Sequence, residues 1–279
     1  MSESLRYLSL FSGMGAGDVG LDRAGMECAG QVENDRHALL VLERHWPGMK
    51  RVLNVQDVRG DEFGHIDLII GGDPCPFRSK ARSIWGSNSP DLWPEFRRIV
   101  SVVRPLWVLR ENVPADDVDD CWADLCRLGY DAIVIEADSA AVTGQSRPRE
   151  YLCGVLGTAR VCLQQVFHER QSSRRDTAAV QKAAPLAHCL TTNPWRFDSR
   201  DNYVLEPGRG TRILAPIERE RLQSVEPGWT DCVSDAQRAK LTGNAMTAEL
   251  VRWFGERIML AEVARREYAA VDVFGTFKP

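Results

Sequence analysis

Short apolar runs alternate with amphipathic stretches through the first half of the chain, and this alternation limits the possible folds more than any other feature. Strand-like runs lie at 5–11, 27–32, 66–70, 106–109, 130–136 and 150–156, and helical periodicity appears at 19–24, 37–45, 92–103 and 117–128. Strands that alternate with helices form a largely parallel sheet with helices on both faces. The pattern therefore predicts an α/β fold, with residues 1–157 as one domain.

The pattern changes near residue 158. From there to about residue 205, Gln, Ser, Arg and Thr dominate, and neither strand nor helix periodicity is regular. Helical periodicity returns at 217–223 and again at 245–264. We therefore expect a small, irregular second domain over 158–240, followed by a C-terminal segment, 241–279, that packs back on the first domain.

Composition excludes several classes of protein. With 44% hydrophobic and 27% charged residues among 279, the chain is typical of a globular protein with one large and one small domain. It lacks an apolar stretch of about 18 residues and a secretory signal, so we expect no membrane span. Eight cysteines without a CxxC pair, and five histidines that do not cluster with them, argue against a metal site and a disulfide framework. This cysteine usage fits a reducing cytoplasm.

The distribution of charge bears on the partner. The net charge of −4 at first argues against nucleic acid, but a local excess matters more than the sum. The segment 160–212 carries nine Lys and Arg against five Asp and Glu. A basic segment on an acidic body suits a face that binds duplex DNA. Charge alone fits a solvated loop region equally well.

The first predicted strand runs into a glycine-rich turn, Phe11-Ser-Gly-Met-Gly-Ala-Gly17, that opens a helix. Glycines let backbone amides approach a ligand, and a helix N-terminus favours an anion. The spacing is not GxGxxG, which counts against a dinucleotide. Glu33 ends the second strand, where an acid can bind ribose hydroxyls, and Asp57 could accept a hydrogen bond from an adenine amine. Each acid, taken singly, also fits an ordinary surface charge.

Three further motifs lie at one predicted edge of the sheet, where open α/β sheets bind ligands: two follow the carboxyl ends of strands, and the third precedes the last strand. Gly71-Gly-Asp-Pro-Cys75 places a cysteine in a Gly-rich turn, although most lone cysteines are buried apolar residues. Glu111 follows the next predicted strand, where a buried carboxyl can act as a proton donor. Arg147 and Arg149 are two apart in extended chain and point the same way, although a pair of surface arginines is the default interpretation.

Together these motifs resemble the cytosine-5 DNA methyltransferase family, which depends on S-adenosylmethionine. The matching runs, in order, are FSGMGAG at 11–17, VEND at 32–35, Asp57, GGDPC at 71–75, ENV at 111–113, QSRPR at 145–149, RILAPIERERLQSVEPGW at 212–229 and GNAM at 243–246. One such match would mean little, but the ordered series spans almost the whole chain. The resemblance implies a Rossmann-like S-adenosylmethionine methyltransferase sheet, with helices on both faces, and a small irregular target-recognition domain.

The resemblance implies a covalent mechanism on a cytosine that has left the duplex stack. Cys75, as thiolate, is expected to attack carbon 6 of the ring. Glu111 is expected to hold the exocyclic amine and protonate the neighbouring ring nitrogen. Arg149 is expected to donate to the carbonyl oxygen, while Arg147 supports the thiolate and the base. Carbon 5 then takes the methyl group, and loss of its proton releases the enzyme.

The resemblance also implies which residues bind the cofactor, S-adenosyl-L-methionine. Phe11 is expected to stack on adenine, Glu33 to bind ribose and Asp57 to meet the adenine amine. The backbone of the glycine-rich turn is expected to hold the methionine portion. The full predicted set is Phe11, Ser12, Gly13, Gly15, Gly17, Glu33, Asn34, Asp57, Pro74 and Asn244, with no metal.

Two alternatives stay open. One is an RNA cytosine-5 methyltransferase on the same scaffold, because the recognition segment is short. The other is a non-catalytic DNA-binding subunit, against which the intact Cys75, Glu111, Arg147 and Arg149 argue. The chain departs from the family at Pro76, where relatives carry Gln after the nucleophile. We expect a cytoplasmic monomer, bacterial or phage-encoded, that acts on double-stranded DNA.

Overall fold

Seven strands form one sheet in the part of the chain that the computed structural model describes, residues 4–74, 91–114, 117–157, 161–167, 186–194 and 202–273, with side chains up to 267. Their order in space is β3-β2-β1-β4-β5-β7-β6. The strands are β1 (Arg6–Leu10), β2 (Glu27–Val32), β3 (Arg51–Val52), β4 (Leu68–Gly71), β5 (Trp107–Asn112), β6 (Tyr130–Asp138) and β7 (Pro148–Leu156). A separate hairpin pairs β8 (Tyr203–Glu206) with β9 (Gly210–Ile213).

Helices connect and flank the strands. They are α1 (Ala16–Arg23), α2 (Arg36–His45), α3 (Trp93–Val103), α4 (Val118–Arg127), α5 (Leu163–Phe167), α6 (Pro216–Leu222), α7 (Asp235–Asn244) and α8 (Ala248–Val273). The turn after α4 needs Gly129, whose φ of 86° is accessible at low energy mainly to glycine. None of the helices in the described ranges has the length and apolar character that a bilayer crossing requires.

The core lies on both faces of the sheet. Consecutive strand residues point to opposite faces, so Tyr7 and Trp107 enter one hydrophobic cluster while Leu8 and Val108 enter the other. The first cluster includes side chains of α1 and α8, and the second includes side chains of α3 and α4. This three-layer arrangement confirms the α/β fold that the sequence predicts.

Strand β7 is the exception to the parallel pattern. It runs antiparallel to both neighbours, β5 and β6, whereas β1 to β5 pair in parallel. Its first residues therefore lie at the edge where the parallel strands end. This reversal brings Arg147 and Arg149 to the same edge as Glu111.

Residues 216–244 pack against the sheet domain. A third hydrophobic cluster joins Met14 and Val19, from the glycine-rich turn and α1, to Val225 and Leu241 from this C-terminal region. The Trp229 indole donates a hydrogen bond to the Met14 carbonyl at 2.8 Å. Val225 and Trp229, within the 158–240 span assigned to the small domain, and helix α7, which begins in that span and ends at Asn244, thus help to build the wall around the glycine-rich turn.

Candidate active site

A cavity of about 680 Å³ opens at the carboxyl edge of the sheet. Its walls come from the loops after β1, β2 and β4, the end of β5, the start of β7 and the segment 240–246. Eight of the predicted cofactor residues line it: Phe11, Ser12, Gly13, Gly17, Glu33, Asn34, Pro74 and Asn244. The predicted catalytic residues Glu111, Arg147 and Arg149 line the same cavity. Cys75 lies outside the described residues.

Positive backbone angles shape the glycine-rich turn. Gly13 has a φ of 57° and Gly15 a φ of 80°, which glycine adopts at low energy. A Cβ on Gly15 would also lie only 2.5 Å from the Trp46 ring. Gly15 does not line the cavity, so its contribution is to let the turn close into α1. The turn presents its neighbours Gly13 and Gly17 to the cavity instead.

Glu33 joins two loops of the cavity wall. One carboxylate oxygen accepts a hydrogen bond from the Gly13 amide at 2.7 Å. The other accepts from the amides of Asn34, at 2.8 Å, and Asp35, at 2.7 Å. A carboxylate can accept about four hydrogen bonds, so Glu33 keeps capacity for a ligand hydroxyl.

Asp57 is not brought to the cavity. It ends a short 3-10 turn, Val55–Asp57, is exposed, and accepts a hydrogen bond from the Asn54 side chain at 3.0 Å. The cavity is lined instead by Val55 and Gln56. Successive side chains on a 3-10 turn diverge by about 120°, so neighbouring residues face different directions.

An arginine from α3 holds this turn in place. The Arg98 guanidinium donates hydrogen bonds to the main-chain carbonyls of Val58 at 2.8 Å and Val55 at 3.1 Å. Its Nε donates to Glu95 at 2.7 Å, one helical turn earlier. Arg98 therefore supports the cavity wall from behind.

Glu111 and Arg149 form an ion pair across two antiparallel strands. Glu111 Oε1 lies 3.0 Å from Arg149 Nε, and both side chains are nearly buried. The contact is not aligned as a hydrogen bond, so Glu111 Oε1 remains a buried acceptor without a hydrogen-bond partner among the described residues. Burial opposes the charge on Arg149, but the carboxylate of Glu111 raises its pKa above the usual value. The pair thus offers a carboxyl oxygen with unused hydrogen-bonding capacity beside a guanidinium cation.

Gly72 makes room for this carboxyl group. A Cβ there would lie 3.1 Å from Glu111 Oε2 and equally close to the Met246 side chain. That spacing is tighter than ordinary van der Waals contact. The second glycine of the GGDPC run therefore permits the close approach of Glu111.

Arg147 is occupied by main-chain carbonyls. Its Nη2 donates to the carbonyls of Gly243, at 3.1 Å, and Ala245, at 2.8 Å, which flank Asn244. Its Nη1 lies 3.3 Å from the Cys189 sulfur, and its Nε is buried without a partner among the described residues. Burial, and then the neighbouring charge of Arg149, lowers the pKa of Arg147. Arg147 thus ties the start of β7 to the segment that carries Asn244.

Two charged features at the cavity escaped the sequence interpretation. Asp18 is fully buried and accepts hydrogen bonds from the side chains of Ser9 and Gln31, both at 3.0 Å, and its burial raises its pKa to about 6. Lys240 pairs with Asp35 at 2.7 Å, and both line the cavity. An acid in the first turn of a helix ordinarily indicates a capping charge, so the pattern gave no sign that Asp18 is buried.

The residues present fit S-adenosylmethionine. The cavity volume lies within the usual range of small-molecule sites, about 300–1,000 Å³. A carboxylate with spare acceptor capacity suits a ribose, and a glycine turn at a helix N-terminus suits the carboxylate of an amino acid. In the residues that the structure describes, no group of His, Cys, Asp and Glu could hold a metal ion.

Two solved structures share this architecture. A putative DNA modification methyltransferase encoded within an E. coli prophage superposes with a TM-score of 0.70 at 19% identity, covering 93% of this chain and 100% of that one. DNMT2 of Spodoptera frugiperda gives a TM-score of 0.70 at 14% identity, covering 92% and 100%. The chain therefore shares the fold of these two proteins over nearly its whole length.

The chain belongs to the C-5 cytosine-specific DNA methylase family, whose model matches residues 5–188. It is 34% identical to the Type II methyltransferase M2.BsuMI of Bacillus subtilis over 301 aligned positions, covering 91% of this chain and 75% of that protein. It is 35% identical over 111 residues to the Type II methyltransferase M.FnuDI of Fusobacterium nucleatum, covering 39% of this chain. The matched region spans only 32% of that relative's length. The family and the cofactor that the sequence predicts are confirmed.

Proposed function

We propose that the protein transfers a methyl group from S-adenosylmethionine to carbon 5 of cytosine in DNA. The pairing of Glu111 with Arg149 carries this proposal, because the pair shares one cavity with Glu33 and the glycine-rich turn. A carboxyl group can accept from the exocyclic amine of cytosine and donate to its ring nitrogen. An adjacent guanidinium can donate to the ring carbonyl. This combination matches the polar edge of a cytosine.

The chemistry requires that the ring first become nucleophilic. Bound S-adenosylmethionine supplies an electrophilic methyl group, but carbon 5 of a neutral cytosine is a poor nucleophile. A proton from Glu111 on the ring nitrogen and hydrogen bonding from Arg149 to the carbonyl oxygen let the ring accept an electron pair at carbon 6. The low exposure of both side chains, 10% for Glu111 and 11% for Arg149, keeps these interactions strong.

Cys75 is proposed as the nucleophile that provides this electron pair. It follows Pro74, which lines the cavity. None of the seven cysteines in the described part of the chain lines the cavity. Burial raises the pKa of several of these, among them Cys28, Cys121 and Cys153, which makes them poor thiolates. Addition of the Cys75 thiolate to carbon 6 precedes methylation at carbon 5. Loss of the carbon 5 proton then expels Cys75.

The substrate is proposed to be one short sequence in double-stranded DNA. Cytosine must leave the stack to enter a cavity at the sheet edge, so base flipping is part of the proposal. Residues 158–240 are proposed to supply the target-recognition region, since the segment 160–212 carries the excess of basic residues. Relatives named Type II methyltransferases fit such a sequence-specific modification activity. The protein is proposed to act as a monomer.

Transfer of tritiated methyl groups tests the substrate class. Duplex DNA and transfer RNA are offered separately, and bisulfite sequencing of host DNA after expression then maps the modified cytosines. We expect incorporation into duplex DNA at one recurrent sequence. Incorporation only into RNA would overturn the DNA assignment in favour of the RNA alternative. Cofactor binding without transfer to either would instead indicate a non-catalytic subunit.

A further inference from the structure

A buried ion pair lies at the wall of the cavity, which one of its members, Asp73, lines, and the proposed mechanism has no role for either residue. Arg110 Nε lies 2.5 Å from Asp73 Oδ1, and Arg110 Nη2 lies 2.9 Å from Asp73 Oδ2. The side chains are 2% and 0% exposed. Two parallel hydrogen bonds fix both the distance and the orientation of the partners.

Further contacts surround the pair. The Trp93 ring lies 5.1 Å from the Arg110 guanidinium carbon, and Asp117 lies 3.8 Å from its Nη2. The Asn112 side chain donates to the main-chain carbonyl of Asp73 at 3.2 Å. Burial opposes the charge on Arg110, but Asp73 raises its pKa above the ordinary value. Two side chains of β5 therefore hold the turn after β4.

The position of the pair links the two halves of the proposed catalytic machinery. Arg110 immediately precedes Glu111 on β5, and the two side chains leave the strand on opposite faces. Asp73 immediately precedes Pro74, which lines the cavity, and Cys75 is the next residue in the sequence. The pair thus connects the strand that carries the proton donor to the turn that leads to the nucleophile.

Stability alone is a poor explanation for this pair. Removing two charges from water is unfavourable, and well-packed apolar residues in place of a buried ion pair often leave stability unchanged or higher. A bidentate contact also fixes the relative orientation of the two side chains, which apolar packing does less strictly. A fixed orientation matters where two reacting groups must contact one substrate, because a shift of about 1 Å can slow a reaction roughly 100-fold.

We propose that Asp73 and Arg110 are a positioning pair that sets Pro74, the residue before the proposed nucleophile in the sequence, relative to Glu111. This inference rests on the proposed function, in which Cys75 and Glu111 act on the same cytosine. Neither Asp73 nor Arg110 touches the base in this scheme. They act through the residues that follow them in the chain.

The test replaces both charges at once, with Asp73→Leu and Arg110→Met in one protein. A single replacement leaves one buried charge unpaired and is expected to destabilise the fold, whereas the double variant should melt within about 5 °C of the unmodified protein. We expect the single-turnover methylation rate of the double variant to fall about 10- to 100-fold, while its Kd for S-adenosylmethionine changes less than about threefold. A double variant that methylates within about twofold of the unmodified rate would overturn the proposal.

Arg110→Lys provides a second variant if the double replacement does not fold. It keeps the charge but loses the bidentate contact, so we expect a folded protein with a rate lower by about 3- to 30-fold and an unchanged KM for DNA. A methylation rate in this variant equal to that of the unmodified protein would equally contradict a positioning role.

Glu262→Ala is the matched control, because Glu262 accepts a hydrogen bond from Trp107 at the other end of β5. It should lower the melting temperature without changing the rate of the folded protein. The unmodified protein is assayed in parallel. If it fails to methylate, the proposed function is wrong, whereas a normal rate in the positioning variants rejects only the pair.

Discussion

Glu111 and Arg149 lie on neighbouring antiparallel strands, with Glu111 Oε1 3.0 Å from Arg149 Nε. The register pairs Glu111 with Tyr151, so Arg149 is the diagonal neighbour two residues along on the same face of the sheet. This contact exists only because β7 reverses the direction of the sheet. The topology therefore places side by side the residue proposed as proton donor and the residue proposed to donate a hydrogen bond to the cytosine carbonyl.

Replacement of Glu111 by Gln tests the proton donor. Gln keeps the shape and an oxygen for the cytosine amine but cannot protonate the ring nitrogen. We expect the single-turnover methylation rate to fall about 100- to 10,000-fold, the usual range for general acid catalysis, with cofactor binding retained. A loss smaller than about fivefold would mean that Glu111 is structural.

Glu33→Gln and Asp57→Asn form a matched pair of charge-removing variants. Glu33 lines the cavity and bridges two of its loops, whereas Asp57 is exposed and outside it. We expect calorimetry to show S-adenosylmethionine binding about 10- to 100-fold weaker for Glu33→Gln, as for loss of a charged hydrogen bond. Asp57→Asn should bind normally. Weakened binding in Asp57→Asn would show that the adenine contact lies at Asp57 after all.

Asp18 predicts a pH dependence of stability. Because burial raises its pKa from 3.8 to about 6, the native state holds a proton that the unfolded state releases between these values. The free energy of unfolding therefore decreases as pH rises from about 4 to about 6 and stays lower above, by about 2–3 kcal/mol for this group. Asp18→Asn removes this pH-dependent contribution to the free energy of unfolding.

The melting temperature of Asp18→Asn, measured against the unmodified protein, checks this expectation. The melting temperature of the variant, relative to that of the unmodified protein, should increase by roughly 5 °C between about pH 4.5 and about pH 8. The neighbouring residues Asp22, Tyr7 and Cys28 are present in both proteins, so their own contributions to the pH dependence of stability largely cancel in the comparison. A constant difference across this range would show that the native state does not raise the pKa of Asp18.

Exchange of the basic segment tests target recognition. Residues 158–205 are replaced by the matching segment of a family member with a known target sequence. We expect the hybrid to methylate the donor's sequence, because this segment lacks the family's motifs and carries excess positive charge. Bisulfite mapping that still finds the original target would place recognition elsewhere.

Local patterns were sufficient for most elements of the sheet domain. The strand predicted at 27–32 coincides with β2, and the helix predicted at 92–103 agrees with α3 within one residue. The helix combines strong apolar periodicity with a proline in its first turn. Helix α7, by contrast, has few apolar residues at regular spacing, so the sequence did not indicate it. The β8–β9 hairpin begins at the end of the weakly patterned region, and the sequence did not indicate it either.

Relationships between distant residues could not be predicted in this way. The reversal of β7 depends on its pairing with β5 and β6, and an antiparallel strand has the same local pattern as a parallel one. Arg110 in an apolar strand has an interpretation only when Asp73 is found opposite it. The candidate site was nevertheless largely predictable, because its residues follow strand ends in short, ordered motifs. Asp57 is the exception. It lies on a tight turn, and the sequence does not show which residue of that turn faces the cavity.

Covalent trapping on 5-fluorocytosine tests the central claim most directly. Duplex DNA with this base at the target is incubated with the protein and S-adenosylmethionine. Thiolate addition at carbon 6 and methylation at carbon 5 can both proceed, but release needs a proton from carbon 5, and fluorine cannot leave as a cation. We predict an adduct that survives denaturation, maps to Cys75, disappears in Cys75→Ser and persists in Cys232→Ser, a control at an exposed cysteine. A protein that methylates unmodified duplex DNA but forms no adduct with the fluorinated duplex would contradict the covalent mechanism.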